Sequence, residues 1–282
     1  MGKKRALMNL EEMKQNYLNY VNFNLRKGSY NFYKIHLNYL IKYFNDNRIF
    51  DSDEIDSLSI NNYISFARSK DNKNSTINKR ILCLKNMFKF NKIKNVDLLE
   101  ISKFREEKNT FSVLTNNEIN KLIDYLNSSL LKNQNKLLIY LLIDTGARIS
   151  EILNIKISNI NYSNNTIYLD VTKTHNSRYV PYTEATKVLL KKYIEENDFK
   201  NNKLFDLSIS GVESLFRRIK DRLNLNKFHP HMLRHTLATK LHKNGVSIMI
   251  VQKIMGHKNI STTERYIHFD LDDVLRAYNS VM

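Results

Sequence analysis

The hydrophobic period of this chain changes in one stretch, and that change limits what it can fold into. Elsewhere apolar residues recur at three- and four-residue spacing, as in Phe32, Tyr33, Leu37, Leu40, Ile41 and Phe44, which paints one face of a helix. Between Ile155 and Pro181 the period falls to two, in I-K-I-S-N-I-N-Y and T-I-Y-L-D-V. Turn-forming residues at Ser163-Asn164-Asn165 and His175-Asn176-Ser177 divide that stretch into three strands. The pattern predicts a mainly α chain with one small antiparallel β-sheet, an α+β arrangement.

The helical parts form two blocks. Residues 1 to about 105 hold no proline and read as four helices. The first begins near Asn9 with Glu12 as its capping partner and runs through Tyr17, Leu18, Val21 and Leu25. The second follows Gly28 and Ser29; the third covers 59 to 69, and the fourth runs from Ser75 to about Phe90. Short polar links between four helices imply a bundle. The stretch S-K-F-R-E-E-K-N-T-F-S, 102 to 112, is charged and aperiodic and reads as a linker. The expected division is 1–102, a linker at 103–114, and 115–282. The second block opens with a capping box at Thr115 and Glu118, followed by helices at 116 to 128, 134 to 145 and 148 to 155. After the sheet, helices are expected at 184 to 196, at 211 to 223 capped by Ser210 with Glu213, from Pro230 to before Gly245, and at 247 to 255, closing at Gly256.

Charge indicates the partner. Lys and Arg number 45 against 28 Asp and Glu, a formal charge of +17, which favours a polyanion. A membrane surface would also attract such a chain, but no apolar run approaches the roughly 18 residues of a spanning helix. The beginning, M-G-K-K-R-A-L-M-N-L, has neither the apolar core nor the cleavage site of a signal peptide. The single cysteine, Cys83, lies among Ile81, Leu82 and Leu84, where a buried, unreactive thiol is expected, and reducing cytosol follows as the compartment.

A scattered set of residues carries chemistry: Arg148 in T-G-A-R-I-S-E, Lys173, His231 and Arg234 in H-P-H-M-L-R-H, His257 after Gly256, and Tyr266. Two arginines can hold phosphate oxygens by paired, charge-assisted hydrogen bonds. A lysine can protonate a leaving oxygen, histidines can donate or accept protons, and a tyrosine hydroxyl can attack. Each residue alone also fits an ordinary role: Arg148 paired with Glu151, His231 and Arg234 as surface residues, Lys173 as one lysine of many, Tyr266 as one of 16 tyrosines. His229, His231 and His235 also raise a metal site, since 231 and 235 have the i, i+4 spacing of helical zinc ligands, although no cysteine or suitably spaced acid sits nearby.

Taken in order, the six positions closely resemble the tyrosine recombinase/integrase family. A-R-I-S-E matches the first arginine box at Arg148, and H-P-H-M-L-R-H-T-L-A-T matches the second, with His231 and Arg234 in the catalytic places. Ile254-Met255-Gly256-His257 departs from the usual leucine-rich L-G-H, yet Tyr266 still follows His257 by nine residues. Lys173 aligns with the family's hairpin lysine, since K-T-H-N-S-R-Y-V-P ends in the same R-x-V-P strand. The resemblance implies a helical, SAM-like core-binding domain followed by a catalytic domain. It also implies a 3′-phosphotyrosyl intermediate on Tyr266, phosphate clamping by Arg148, Arg234 and His257, a proton from Lys173 to the leaving 5′-oxygen, and His231 as base. Neither ATP nor metal is implied, and the site residues include no metal ligand.

The implied partner is double-stranded DNA, held by a ring of four like or related subunits through the tail after Tyr266, in the cytoplasm at the nucleoid. Lys79, Arg80, Arg217 and Arg218 are candidate phosphate contacts, each equally able to be a solvated surface charge. The likeness is to the simple two-domain class, which serves Xer-type chromosome or plasmid dimer resolution or the integration and excision of mobile elements. A type IB topoisomerase-like nicking and closing enzyme, a DNA-binding protein without chemistry, and a metal-dependent nuclease are the alternatives.

Overall fold

In a computed structural model, residues 8–106, 112–128, 131–170, 177–199 and 201–264 are described. Lys173, Tyr266 and the tail after it lie outside them. The chain divides into two compact units, Met1–Asn109 and Thr110–Met282.

The first unit holds α1 (Leu10–Asn24), α2 (Lys27–Asp46), α3 (Ser57–Ser69), α4 (Asn74–Phe90) and a short α5 (Val96–Glu100). Each long helix turns one apolar stripe inward. Leu10, Met13 and Val21 of α1, Leu37, Leu40, Ile41 and Phe44 of α2, Tyr63 of α3, and Ile77, Leu84 and Met87 of α4 form one buried core. Cys83 lies within it, and burial pushes its thiol up to about 12, so it behaves as a small apolar side chain.

Local caps moved several boundaries. The Asn9 side chain accepts from the Glu11 N–H, not through a partner at Glu12. Asp56 and Ser59 form a reciprocal box at 2.7 and 2.9 Å, so α3 starts at Ser57, two residues ahead of the expected Ser59. The helix missed by periodicity, α5, is too short to show a stripe. It exists because Asn95 accepts from Leu98 N–H at 2.8 Å while its own amide donates to the Ile55 carbonyl at 2.6 Å.

Two expectations for this unit are corrected. The first residues of the presumed linker are fastened to α4: Asn78 exchanges two 2.9 Å hydrogen bonds with the Phe104 backbone, and Asn74 donates to the Arg105 carbonyl at 2.9 Å. Side-chain amides satisfy that backbone, which hydrophobic period cannot reveal. Arg80, expected as a surface contact, is only 8% exposed. Its guanidinium lies 3.5 Å from the centre of the Tyr39 ring and donates to the Tyr63 hydroxyl at 3.2 Å. The aromatic face takes up the cation inside the unit, whereas Lys79, one position earlier on the helix, remains exposed.

The second unit runs α6 (Asn116–Ser128), α7 (Asn133–Thr145), α8 (Ile149–Ile152), a 3-10 turn (Ile157–Asn159), β1 (Ile160–Asn161), β2 (Thr166–Leu169), β3 (Arg178–Pro181), α9 (Glu184–Glu195), α10 (Ile209–Arg222), α11 (Pro230–Lys243), α12 (Ile248–Met255) and α13 (Ser261–Glu264). Helix α7 is apolar around most of its circumference because α9 and α11 both pack on it, burying Leu137, Leu138, Ile139, Leu141 and Leu142. The three strands form an antiparallel meander in the order β1-β2-β3, with Ile167 opposite Val180 and Leu169 opposite Arg178. Alternation sends Ile167, Leu169, Val180 and Arg178 to the buried side, so an arginine occupies a core-facing strand position.

The Thr115–Glu118 capping box is present. Helix α10 is capped by Ser208, whose hydroxyl accepts from Gly211 N–H at 3.1 Å, instead of by Ser210 with Glu213. Helix α8 stops at Ile152, three residues short of the expected end. Asp144 at the end of α7 accepts from the Thr183 N–H and from the Thr183 and Thr186 hydroxyls, at 2.8, 2.8 and 2.6 Å, tying α7 to the start of α9.

Candidate active site

Four of the six expected chemical residues fall within the described part of the second unit, and they converge. The turn after α7 brings in the first. Gly146 closes α7 at φ +57°, and an added Cβ would lie 2.7 Å from the Met255 methyl, so both conformation and space call for glycine. Arg148 then caps α8, with its backbone N–H and its Nη1 bonded to the two oxygens of Glu151 at 2.7 and 2.9 Å.

Helix α11 supplies the second pair. His229 is its N-cap, accepting from Met232 N–H through Nδ1 at 3.2 Å, and Pro230 takes the first turn. That local task explains a histidine which the sequence left as a rival metal ligand. Among the described residues, no group of three or more His, Cys, Asp or Glu is placed to hold a metal ion. One turn on, Arg234 is 3% exposed and donates to the Gly146 and Met255 carbonyls, both at 2.6 Å. A single guanidinium thus joins the turn carrying Arg148 to the turn carrying His257. His231, three residues before Arg234, is exposed.

Gly256, at φ +64°, closes α12 and turns the chain to His257. The His257 ring is buried with Nδ1 2.8 Å from the Thr263 hydroxyl of α13, while Gln252 donates to the His257 carbonyl at 3.1 Å. An open cavity of about 600 Å³ adjoins it, lined among others by Ser177, Arg178, Tyr179, Gln252 and Lys253.

Two further residues organise the charges: Glu151, which the sequence offered only as a partner of Arg148, and Arg178, which it did not single out. Glu151 is 7% exposed and Arg178 8%. The Arg178 Nη atoms bond the two Glu151 oxygens at 3.2 and 2.9 Å, and its Nε donates to the Ile254 carbonyl at 2.7 Å. Burial alone would raise the Glu151 pKa; the Arg178 bonds and charge, with Arg148, outweigh it and hold the carboxyl down at about 2. His257 is pushed down to about 3 by burial and then by the charges of Arg234, Arg148 and Arg178. His231 is lowered by desolvation, Arg234, His229 and Arg148. Both histidines are therefore neutral at neutral pH, inside a field of arginines. The period of two continuing into the R-Y-V-P strand and the three-residue spacing of R-I-S-E were the signals available for Arg178 and Glu151.

These depressed values make the fold acid-labile. In the unfolded chain His257 takes a proton near 6.5, whereas the folded ring resists to about 3. Glu151 unfolded takes one near 4.5, and the folded carboxylate resists to about 2. The unfolded state thus binds more protons throughout that range, and stability present at pH 7 drains away as pH falls, first through His257 and then also through Glu151. Urea midpoints should drop steadily from about pH 7 through about 5.5 to about 4.5, and His257→Asn should reduce the slope above about 4.5, the remainder coming from the other lowered histidines, His36, His229 and His231. A midpoint that does not change across this range would refute the assignment.

Fold and site together place two arginines and two histidines side by side within a helical unit bearing a small sheet. Residues 112–272 match the phage integrase family. The chain belongs to that family. Among its relatives is the tyrosine recombinase XerA of Saccharolobus solfataricus, 38% identical over 151 residues, covering 54% of this chain and 51% of that protein. The match therefore spans about half that relative's length. A probable integrase/recombinase of Acholeplasma phage L2 is 29% identical over 73% of this chain and 74% of its own. The fold is that of the Tn1549 transposon integrase in its complex with transposon right end DNA, with a TM-score of 0.78 over 97% of this chain and 99% of that one at 18% identity. No helix among the described residues is long and apolar enough to cross a membrane.

Proposed function

We propose that this chain is a tyrosine-type site-specific recombinase that cuts and rejoins DNA through Tyr266. The observation that carries the reading is the convergence of Arg148, Arg234, His231 and His257, close enough that both arginines depress both histidines. In the reaction the Tyr266 oxygen attacks the scissile phosphorus as the bond to the 5′-oxygen breaks. The tyrosine proton passes to neutral His231, and Lys173 supplies a proton to the departing 5′-oxygen. Arg148 and Arg234 stabilise the charge gathering on the phosphate oxygens. A His257 tautomer whose Nδ1 accepts from Thr263 carries its proton on Nε2, the form able to donate to the phosphate. One phosphodiester is exchanged for one phosphotyrosyl bond, so resealing requires no energy source.

The natural setting is a synapse of four subunits on two DNA sites in the cytoplasm, with the tail after Tyr266 passed between neighbours. It serves either dimer resolution or the movement of a genetic element. Lys79, Arg217 and Arg218 are exposed and suited to phosphates. Lys79→Ala should weaken duplex binding and reduce its salt slope by about one, whereas Arg80→Met should change affinity by less than about twofold, because the buried Arg80 cation serves Tyr39.

The decisive test is a nicked, end-labelled duplex incubated with the chain in EDTA. A protein-linked strand whose tryptic peptide carries the label on Tyr266 supports the reading. Cleavage that EDTA stops means a metal-dependent nuclease instead, and relaxation of plasmids lacking any specific site favours a topoisomerase-like enzyme.

A further inference from the structure

Arg178 has no part in the reaction just described, yet three elements meet on its guanidinium. It opens β3, five positions after Lys173, and its Nη atoms take both oxygens of Glu151 on α8. Its Nε holds the Ile254 carbonyl near the end of α12 at 2.7 Å. Its flat face lies against Gly256, where an added Cβ would come 2.6 Å from Nη1 and 2.8 Å from Cζ. The next residue is His257.

The shared carboxylate is the informative part. An arginine alone with a carboxylate tends to engage it by two parallel bonds, which would commit two of its nitrogens. Here Arg178 occupies both Glu151 oxygens, and Arg148 is left one side-chain bond, Nη1 to Oε1 at 2.9 Å, with 27% of its side chain exposed. The Arg148 backbone N–H adds a 2.7 Å bond that fixes its turn. The geometry points to Arg178 as a positioning residue that holds Glu151 by both oxygens, so that Arg148 is aimed by one bond and keeps donors for a phosphate, while the His257 turn is anchored to the same guanidinium. The depressed values of Glu151 and His257, to both of which Arg178 contributes, agree with this placement.

This inference rests on the recombinase reading for the identity of the phosphate, but its test separates the two. Without Arg178, Glu151 is free to take Arg148 bidentately. Arg178→Met should slow single-turnover formation of the protein-linked strand by about 100-fold, the scale of a misplaced catalytic group, with duplex affinity within about threefold. Arg178→Lys should not rescue it, since an ammonium cannot serve two carboxylate oxygens and a carbonyl in one plane. Adding Glu151→Gln to Arg178→Met should recover about tenfold or more, because a neutral amide competes for Arg148 far less than a carboxylate does. A merely structural strut would give no such recovery, and a double variant as slow as the single one overturns the inference, as does a single variant as fast as the parent.

Should Arg178→Met fail to fold, the double variant, which removes the buried pair as a unit, still carries the readout. Within about tenfold of the parent rate it supports the inference; about 100-fold below, it refutes it. Inorganic phosphate titrated against the guanidinium NMR signals of Arg148 and Arg234 needs no strand chemistry. Parent protein that binds phosphate, with about fivefold or greater loss in Arg178→Met and recovery in the double variant, sustains the inference even where no DNA adduct ever forms. Equal phosphate affinity in all three sinks it, whatever the fate of the recombinase reading.

Discussion

Tyr266→Phe should yield no protein-linked DNA while retaining site binding within about threefold, a loss of at least about 10³-fold in cleavage rate. The change removes one oxygen atom from a chain with 16 tyrosines, so its selectivity is its value. Phenylalanine keeps the ring but offers no lone pair to phosphorus. The arginines would still bind the phosphate, and the variant should therefore compete with the parent for sites. A free tyrosine hydroxyl has a pKa near about 10, so its reactivity depends on neighbours that accept its proton and on a phosphate already clamped. Water is not expected to replace it, because hydrolysis would need an oriented base for a different nucleophile. Single-turnover gels with labelled nicked duplex read the outcome. Strand cleavage at parental rate in Tyr266→Phe would move the nucleophile elsewhere and end the assignment.

Arg234→Ala should damage both chemistry and fold. Its guanidinium is buried and bonds the Gly146 and Met255 carbonyls at 2.6 Å each. Truncation leaves two buried acceptors without these donors, a penalty of about 1–3 kcal/mol apiece before relaxation. A drop of about 3 kcal/mol in unfolding free energy is expected. Cleavage should fall by at least about 10³-fold, since loss of one transition-state donor already costs about 10²–10³-fold and the turns bearing Arg148 and His257 lose their common tie. Arg234→Lys should restore little, because one ammonium cannot span two carbonyls and a phosphate in a fixed plane. Urea titration and single-turnover kinetics on the same preparations separate the effects. A variant cleaving within tenfold of the parent would remove Arg234 from the phosphate clamp.

Glu151 shows why a site can be visible in sequence and still be misjudged in detail. The spacing of A-R-I-S-E offered two readings of Arg148, a phosphate ligand or a partner of Glu151. The structure contains the pairing with Glu151, and Arg178 from a distant strand is what keeps it from consuming the whole guanidinium. The two readings are compatible, which no local pattern could establish. Arg80 is the opposite case. Its neighbour Lys79 has the same charge and is exposed, but a one-residue step on a helix turns Arg80 inward, onto Tyr39 and Tyr63, residues 41 and 17 positions away in the chain.

By itself the sequence determined the class of fold, the sheet and its turn at Ser163-Asn164-Asn165, the apolar stripes of the long helices, and the order of the chemical residues. Those features are local, written as a period of 3.6 or 2 and as motif spacing, and short-range physics reads them directly. Tertiary structure decided the bond from the Asn95 amide to the Ile55 carbonyl, the attachment of residues 102–106 to α4, the inward turn of Arg80, and the sharing of Glu151 by Arg148 and Arg178. Each depends on partners brought close only by folding, where a buried charge or backbone group must be satisfied by whatever side chain the packing delivers.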